Sequence, residues 1–164
     1  MRKISWSGLQ IGLLTLSDSR NQATDQSGAA LEALALEWGA TVMLRAIMPD
    51  DQPGIQDCLV DWADDKRLDL IVTTGGTGPG PRDVTPEATR AVCQRELPGF
   101  AEQIRAAGLA QTRNALLTRG VAAFRGQTFV INLPGSTRGA VCSLEAIADL
   151  VPHAVRMARG GGHH

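Results

Sequence analysis

The stretch LDLIVTTGGTGPGPRDVTPEATRAV, residues 68–92, decides the reading of this sequence. An apolar run from Leu68 to Thr74 feeds directly into Gly75, Gly76, Gly78 and Gly80, with Pro79 among them and Pro81 after them, then Arg82-Asp83 and the start of a helix. Glycine reaches φ > 0 cheaply and lets successive backbone N–H groups turn toward an anion. Thr74 and Thr77 add hydroxyl donors. The loop has no Gly-Lys-Ser/Thr after it, so it is not a P-loop, and it lacks the GxGxxG dinucleotide pattern. It reads either as a plain strand-to-helix connector or as a phosphate grip. Pro86 suits the first position of the helix and so makes Thr85 the cap. That leaves Asp83 two residues short of the cap, free to face a crevice.

Upstream, GLQIGLLTLSDSR opens on an almost unbroken apolar run, as in a strand buried on both faces. SGAALEALALEWGA sets Leu31, Leu34, Ala35 and Trp38 at helical spacing and stops at Gly39. TVMLRAIMPDD predicts a second strand, and PGIQDCLVDWADDKR a second helix. Downstream, TPEATRAVCQRE and GFAEQIRAAGLAQ read as helices, while GVAAFRG and QTFVINLPG flank a Gly-Gln turn and predict an antiparallel hairpin. RGAVCSLEAIADLVPHAVRMARG predicts one last helix, with Val141, Leu144, Ile147, Val151 and Val155 on one stripe and a kink at Pro152.

Alternating strands and helices imply an α/β fold, a three-layer α/β/α sandwich on a mostly parallel sheet. In such sheets ligands bind beyond the carboxyl ends of the strands. The residues that follow the strands are therefore the candidates. They are Ser17, Asp18, Ser19 and Arg20, with Asp25 and Gly28 further on; Asp50 and Asp51; Thr74, Gly75, Gly76, Thr77 and Gly78, with Arg82 and Asp83; and Pro134, Gly135, Ser136 and Arg138. Either Asp50 or Asp51 can cap the second helix, and only one need do so. Arginines in these loops can pair with phosphate in two-point geometry, or lie solvated on the surface. Two carboxylates, Asp50 and Asp83, at neighbouring strand ends can hold a hard cation such as Mg²⁺, which binds few carboxylates together with substrate phosphates.

Composition bounds the rest. The 164 residues, 43% hydrophobic, suit a single domain spanning 1–164, with a core over about 8–157 and a Gly-rich tail at 158–164 that should fray. A net charge of -1 with interspersed signs argues against nucleic acid partners. MRKISWSGLQ is not followed by an apolar run of signal-peptide length and no run reaches membrane-spanning length, so the expected location is cytoplasmic, with no membrane contact. Cys58, Cys93 and Cys142 fall within predicted helices and read as small core residues. His163 and His164 read as tail.

TTGGTGPGPRDVTPEA, RELPGFAEQIR and INLPGST together closely resemble the MogA/MoaB family of molybdenum cofactor biosynthesis proteins, and the similarity runs from about Gly8 to Val155. The resemblance implies the molybdopterin-binding fold of that family and adenylyltransferase activity. The terminal phosphate of molybdopterin would attack the α-phosphorus of Mg·ATP, releasing pyrophosphate. It also implies that Asp50 and Asp83 are the functional acids. The loop from Thr74 to Gly78 and the Pro134–Ser136 turn would line the pterin and nucleotide cleft, which the Ser17–Arg20 loop with Asp25 and Gly28 borders. A homotrimer, a hexamer in some MoaB-type members, and a downstream molybdenum-insertion protein as partner are further implications. The sequence departs from the MogA pattern at Ser136-Thr137, which resembles MoaB-type members, while GPRDVTPEA resembles MogA. A non-catalytic molybdopterin carrier and an oligomeric scaffold are the competing readings.

Overall fold

From Ile11 to Leu16 every residue is buried, so the first strand, β1 (Gln10–Leu16), must be covered on both faces. The computed structural model describes residues 3–161. In chain order β1 is followed by α1 (Gln26–Glu37), β2 (Thr41–Met48), α2 (Gln52–Val60), β3 (Leu70–Thr74), α3 (Thr85–Val92), β4 (Arg95–Glu96), α4 (Pro98–Leu109), β5 (Ala122–Arg125), β6 (Thr128–Leu133), α5 (Thr137–Ile147) and α6 (Val151–Ala158). The strands form one six-stranded sheet in the order β2-β1-β3-β6-β5-β4. β2, β1, β3 and β6 run parallel, and β5 is antiparallel to both its neighbours. This is the expected α/β architecture, and the β5–β6 hairpin closes through a Gly126-Gln127 turn with Gly126 at φ +56.

Alternate residues of each strand feed two apolar layers. Ile11, Leu13, Leu70, Val72, Phe129 and Ile131 pack against α1, α4, α5 and α6. Leu14, Leu16, Ile71 and Val130 face α2 and α3 on the other side. The core reaches back to Trp6, which is fully buried, meets the Trp38 ring at 4.9 Å with the planes tilted by 60°, and donates its indole N–H to Ala148 O.

Four local expectations change. The helix expected over residues 85–96 ends at Val92, because Cys93 is extended and Arg95-Glu96 pair with Phe124 and Ala123 at the sheet edge. The last helix is two: α5 stops at Ile147, and Pro152 sits in the first turn of α6, where its missing N–H leaves no bond unmade. The second helix, expected over residues 53–67, is α-helical only to Val60 and continues as a π-helical turn, Asp61–Asp65. The three cysteines are partly buried rather than central, and Cys93 lies just beyond α3. At the carboxyl end, Gly160 at φ +82 and Gly161 bond back to Met157 and Arg156 carbonyls and close α6; residues 162–164, with His163 and His164, lie outside the described residues.

Candidate active site

Register brings the four parallel strand ends into one row. Leu16 is paired with Met48, Thr15 with Thr74, and Thr74 with Leu133. From β1 the chain steps outward to β2 on one side, and β3 lies on the other, so the strand order reverses between β1 and β3. That is the topological switch point at which α/β sheets open a crevice. The Ser17–Arg20 loop and the glycine loop flank it.

The glycine loop is bolted down on three sides. Gly75 N–H donates to Leu133 O at 3.0 Å, and Thr74 Oγ1 donates to Pro134 O at 2.7 Å, tying the loop to the turn after β6. Gly75 has φ +102, and a Cβ there would lie 2.3 Å from Leu16 O, so only glycine lets β3 exit this close to β1. Thr85, expected as the helix cap, instead donates its hydroxyl to Gly75 O at 3.0 Å, and α3 starts with no side-chain cap. Thr74 and Thr77 are buried, at 1% and 5% exposure, and the Thr74 hydroxyl is spent inside the fold rather than offered to the crevice.

Three carboxylates converge on this loop. Asp51 caps α2 by accepting from Gly54 N–H at 3.0 Å, which leaves Asp50 uncommitted. Oδ1 of Asp50 is buried and without a hydrogen-bond partner, and it would lie 3.0 Å from a Cβ on Gly76. Burial and the negative charges of Asp18 and Asp83 push the Asp50 pKa up, with Arg82 partly offsetting them. Asp18 accepts from Asp50 N–H at 2.9 Å and from both Nε and Nη2 of Arg82 at 3.0 Å, and these bonds hold its carboxyl below the usual range. Asp83 accepts from Gly80 N–H at 2.9 Å. An orphaned carboxylate oxygen among like charges fits a cation. Among the described residues, however, no three His, Cys, Asp or Glu side chains are grouped to hold one unaided. The donor set suits Mg²⁺ completing its shell with water and phosphate oxygens.

Arginines line the same opening. Arg20 Nη1 donates to Ser27 Oγ at 3.0 Å and to Gly135 O at 3.1 Å, joining the first loop to the last. Arg138 reaches outward to Gln111 Oε1. Ser17 Oγ accepts from the N–H groups of Ser19 and Arg20 and closes the first loop on itself. Ser136 caps α5 through Gly139 N–H.

Asp25 and Gly28 lie beneath the crevice rather than in it. Asp25 is 2% exposed and caps α1 through Gly28 N–H, while Thr15 Oγ1 donates to its Oδ2 at 2.7 Å and Arg45 approaches to 3.4 Å. Burial alone would raise the Asp25 pKa; these partners outweigh it and lower it. A residue that no motif marks also reaches the loop. Arg119, just before β5, donates from Nε to Gly78 O and from Nη2 to Asp83 O, both at 2.8 Å. It stands 36 positions from Asp83, so no local signal in the sequence exposes it.

A cavity of about 210 Å³ adjoins the turn after β6, lined by Pro134, Ser136, Arg138, Gly108, Thr118 and Cys142 among others. A larger apolar cavity of about 690 Å³, lined by Leu97, Phe100, Phe124 and His153, lies at the β4–β5 edge, away from the strand ends. Charge and topology favour the crevice as the site, since the carboxylates and arginines that follow the parallel strands gather there, whereas the larger cavity is mostly apolar and lies away from the strand ends.

Known proteins resemble this chain over most of its length. Residues 12–153 match the family described as "Probable molybdopterin binding domain". A molybdopterin adenylyltransferase of Helicobacter pylori is 38% identical over 156 residues, covering 93% of this chain and 89% of that protein. The molybdenum cofactor synthesis protein cinnamon of Drosophila melanogaster is 40% identical over 152 residues, 91% of this chain but only 25% of its own length. The crystal structure of the molybdopterin biosynthesis enzyme MoaB from Thermus thermophilus superposes with a TM-score of 0.86 at 43% identity, over 95% of this chain and 99% of that one. The chain belongs to the MogA/MoaB family of molybdopterin-binding domains.

Proposed function

We propose that this protein is a molybdopterin adenylyltransferase that moves AMP from ATP to the terminal phosphate of molybdopterin. An oxygen of that phosphate forms a bond to the α-phosphorus of ATP, the bond from the α-phosphorus to the bridging oxygen breaks, and pyrophosphate leaves. The observation that carries the reading is the buried, unpartnered Oδ1 of Asp50 facing the glycine loop at the switch point. Such a carboxylate is costly in an empty fold and is stabilised by a cation that arrives with a polyphosphate.

Transfer at phosphorus needs positioning and charge stabilisation rather than a nucleophilic side chain. Backbone N–H groups of Gly76, Thr77 and Gly78 would bind phosphate oxygens, the Gly75 N–H being held by Leu133 O. Arg82 would exchange Asp18 for phosphate in the same two-point geometry. Asp50 and Asp83 would hold Mg²⁺, which when bound neutralises charge on the triphosphate. Asp25 and Gly28 contribute by fixing the start of α1 and the loop before it. The cavity beside Pro134 and Ser136 gives one ring system of the substrates a place next to the phosphates.

The test is pyrophosphate release from the purified protein with Mg·ATP, with and without molybdopterin, in wild type and Asp83→Asn. Release that depends on the pterin and is lost in the variant is expected. Wild-type protein that binds the pterin but releases no pyrophosphate would establish the carrier reading instead.

Among the described residues no helix is long and apolar enough to cross a membrane. We infer a cytoplasmic enzyme that hands its product to a molybdenum-insertion protein. A homotrimer is favoured by exposed apolar side chains at Met43 on the edge strand β2 and at Leu116 and Leu117. A solution mass matching a single 17.4 kDa chain would refute that assembly.

A further inference from the structure

We infer that Arg119 is a positioning residue that holds the glycine loop in its ligand-ready shape; this rests on the crevice being the transfer site. Its side chain is bonded to loop backbone and to one carboxylate outside the crevice. Nε donates to Gly78 O at 2.8 Å and Nη2 to Asp83 O at 2.8 Å, while Nη1 and Nη2 reach Glu87 Oε2 and Oε1 at 2.6 and 3.3 Å. Its backbone N–H donates to Thr77 O at 2.8 Å. One residue thus collects the carbonyls of Thr77, Gly78 and Asp83, the two ends of the segment that carries Arg82 and the Asp83 carboxylate.

The peptide plane turns this into a statement about ligand binding. Cis peptides are absent among the described residues, so each carbonyl and the N–H of its own peptide unit point in opposite directions. With the Thr77 and Asp83 carbonyls drawn toward Arg119, the N–H groups of Gly78 and Val84 are aimed away from it. The flexibility that four glycines confer would otherwise spread this loop over many conformations. Glu87, in the first turn of α3, orients the guanidinium in a two-oxygen fork. Arg119 differs in kind from Arg82. Arg82 is spent on a single exposed carboxylate that a phosphate can replace, whereas the Arg119 guanidinium bonds loop backbone and the carboxylate that orients it.

Arg119→Lys keeps the charge but cannot reach Gly78, Asp83 and Glu87 together. Glu87→Gln keeps the size and loosens the fork, so it bears on the same question if the lysine variant fails to fold. Two readouts decide. Hydrogen exchange of amides in residues 76–84, with no substrate present, should accelerate about tenfold or more in Arg119→Lys, and less in Glu87→Gln, while the strands stay unchanged. In pyrophosphate release, a loop that must be ordered by its ligand raises the KM for Mg·ATP by roughly tenfold and leaves kcat within about threefold. A fall in kcat at unchanged KM would mean that Arg119 touches the reacting phosphates, and unchanged loop exchange would mean that it does not hold the loop; either result overturns the assignment. Absence of turnover in wild type would refute the transferase reading alone, since loop exchange still reports on Arg119.

Discussion

Gly75→Ala tests the closest approach on which the site depends. At φ +102 an alanine sits outside the conformations open to L-residues, at a cost of about 1–3 kcal/mol. Its Cβ would also lie 2.3 Å from Leu16 O, a backbone atom rather than a side chain that can swing aside. Leu16 is held on its far side by its pairing with Met48, and the next N–H, of Ser17, donates to Met48 O at 2.9 Å. Relieving the overlap therefore means displacing β1 or β3, which adds about 1–3 kcal/mol as in an overpacked core. The sum is roughly 2–6 kcal/mol, which for a domain of this size lowers Tm by on the order of 10 °C. Gly126→Ala is the control, because Gly126 also has positive φ, at +56, but a Cβ there meets nothing within 4 Å. It should lose only the backbone part, about 1–2 kcal/mol. Urea unfolding followed through Trp6, Trp38 and Trp62, at one fixed protein concentration, gives both values. Equal losses in the two variants would show that the β3 exit relaxes freely and that the loop is not locked to β1.

Asp50→Asn should separate stability from activity. The raised folded pKa means that, between the ordinary carboxyl value of 3.8 and the folded value, the native state holds more protons than the unfolded one, so stability falls as pH rises through that window and stays lower above it. Removing the charge should stabilise the ligand-free protein near neutral pH by about 0.5–1 kcal/mol, a figure kept small because the group is partly solvated, while pterin-dependent pyrophosphate release is lost; a variant less stable than wild type at neutral pH would contradict the unpaired charge. Burial pushes the Cys58 and Cys93 thiols up to about 11, so near pH 8 about one in a thousand is thiolate. A thiol-reactive chromophore should label both slowly in native protein and quickly after unfolding, and rapid native labelling would show that α2 opens, for Cys58, or that the segment after α3 does, for Cys93.

What the sequence discloses follows how far each interaction reaches along the chain. The apolar run of β1, the turn at Gly126-Gln127 and the polar residues behind each strand are local patterns, and they place the fold and the crevice. Asp50 and Asp51 are equivalent in the sequence; only the Asp51 bond to Gly54 shows which one is spent as a cap. Thr85 misleads because a proline in the first turn marks where a helix starts without saying what the preceding hydroxyl will meet. Here the partner, Gly75 O, arrives by folding from 10 residues upstream. Asp25 illustrates the opposite limit: its cap to Gly28 is local, but the Arg45 contact that buries it comes from β2, 20 positions on. Pro152 marks an interruption correctly in place and wrongly in degree, since nothing local distinguishes a kink from a new helix.

The charges of the crevice form an exchange system rather than a set of fixed bonds. Within the fold Arg82 is matched by Asp18 and Arg20 by a carbonyl and a hydroxyl, while Asp50 has no partner for its buried oxygen. Asp18 also fixes the Asp50 backbone through its N–H, so the residue that occupies Arg82 holds in place the carboxylate it repels. A polyphosphate carrying a divalent cation would satisfy both halves at once, its oxygens replacing Asp18 on Arg82 and its cation matching Asp50. A free anion offers Asp50 nothing and a free cation leaves Arg82 where it is. The arrangement would therefore favour the metal–polyphosphate complex over either component, as the proposed nucleotidyl transfer requires.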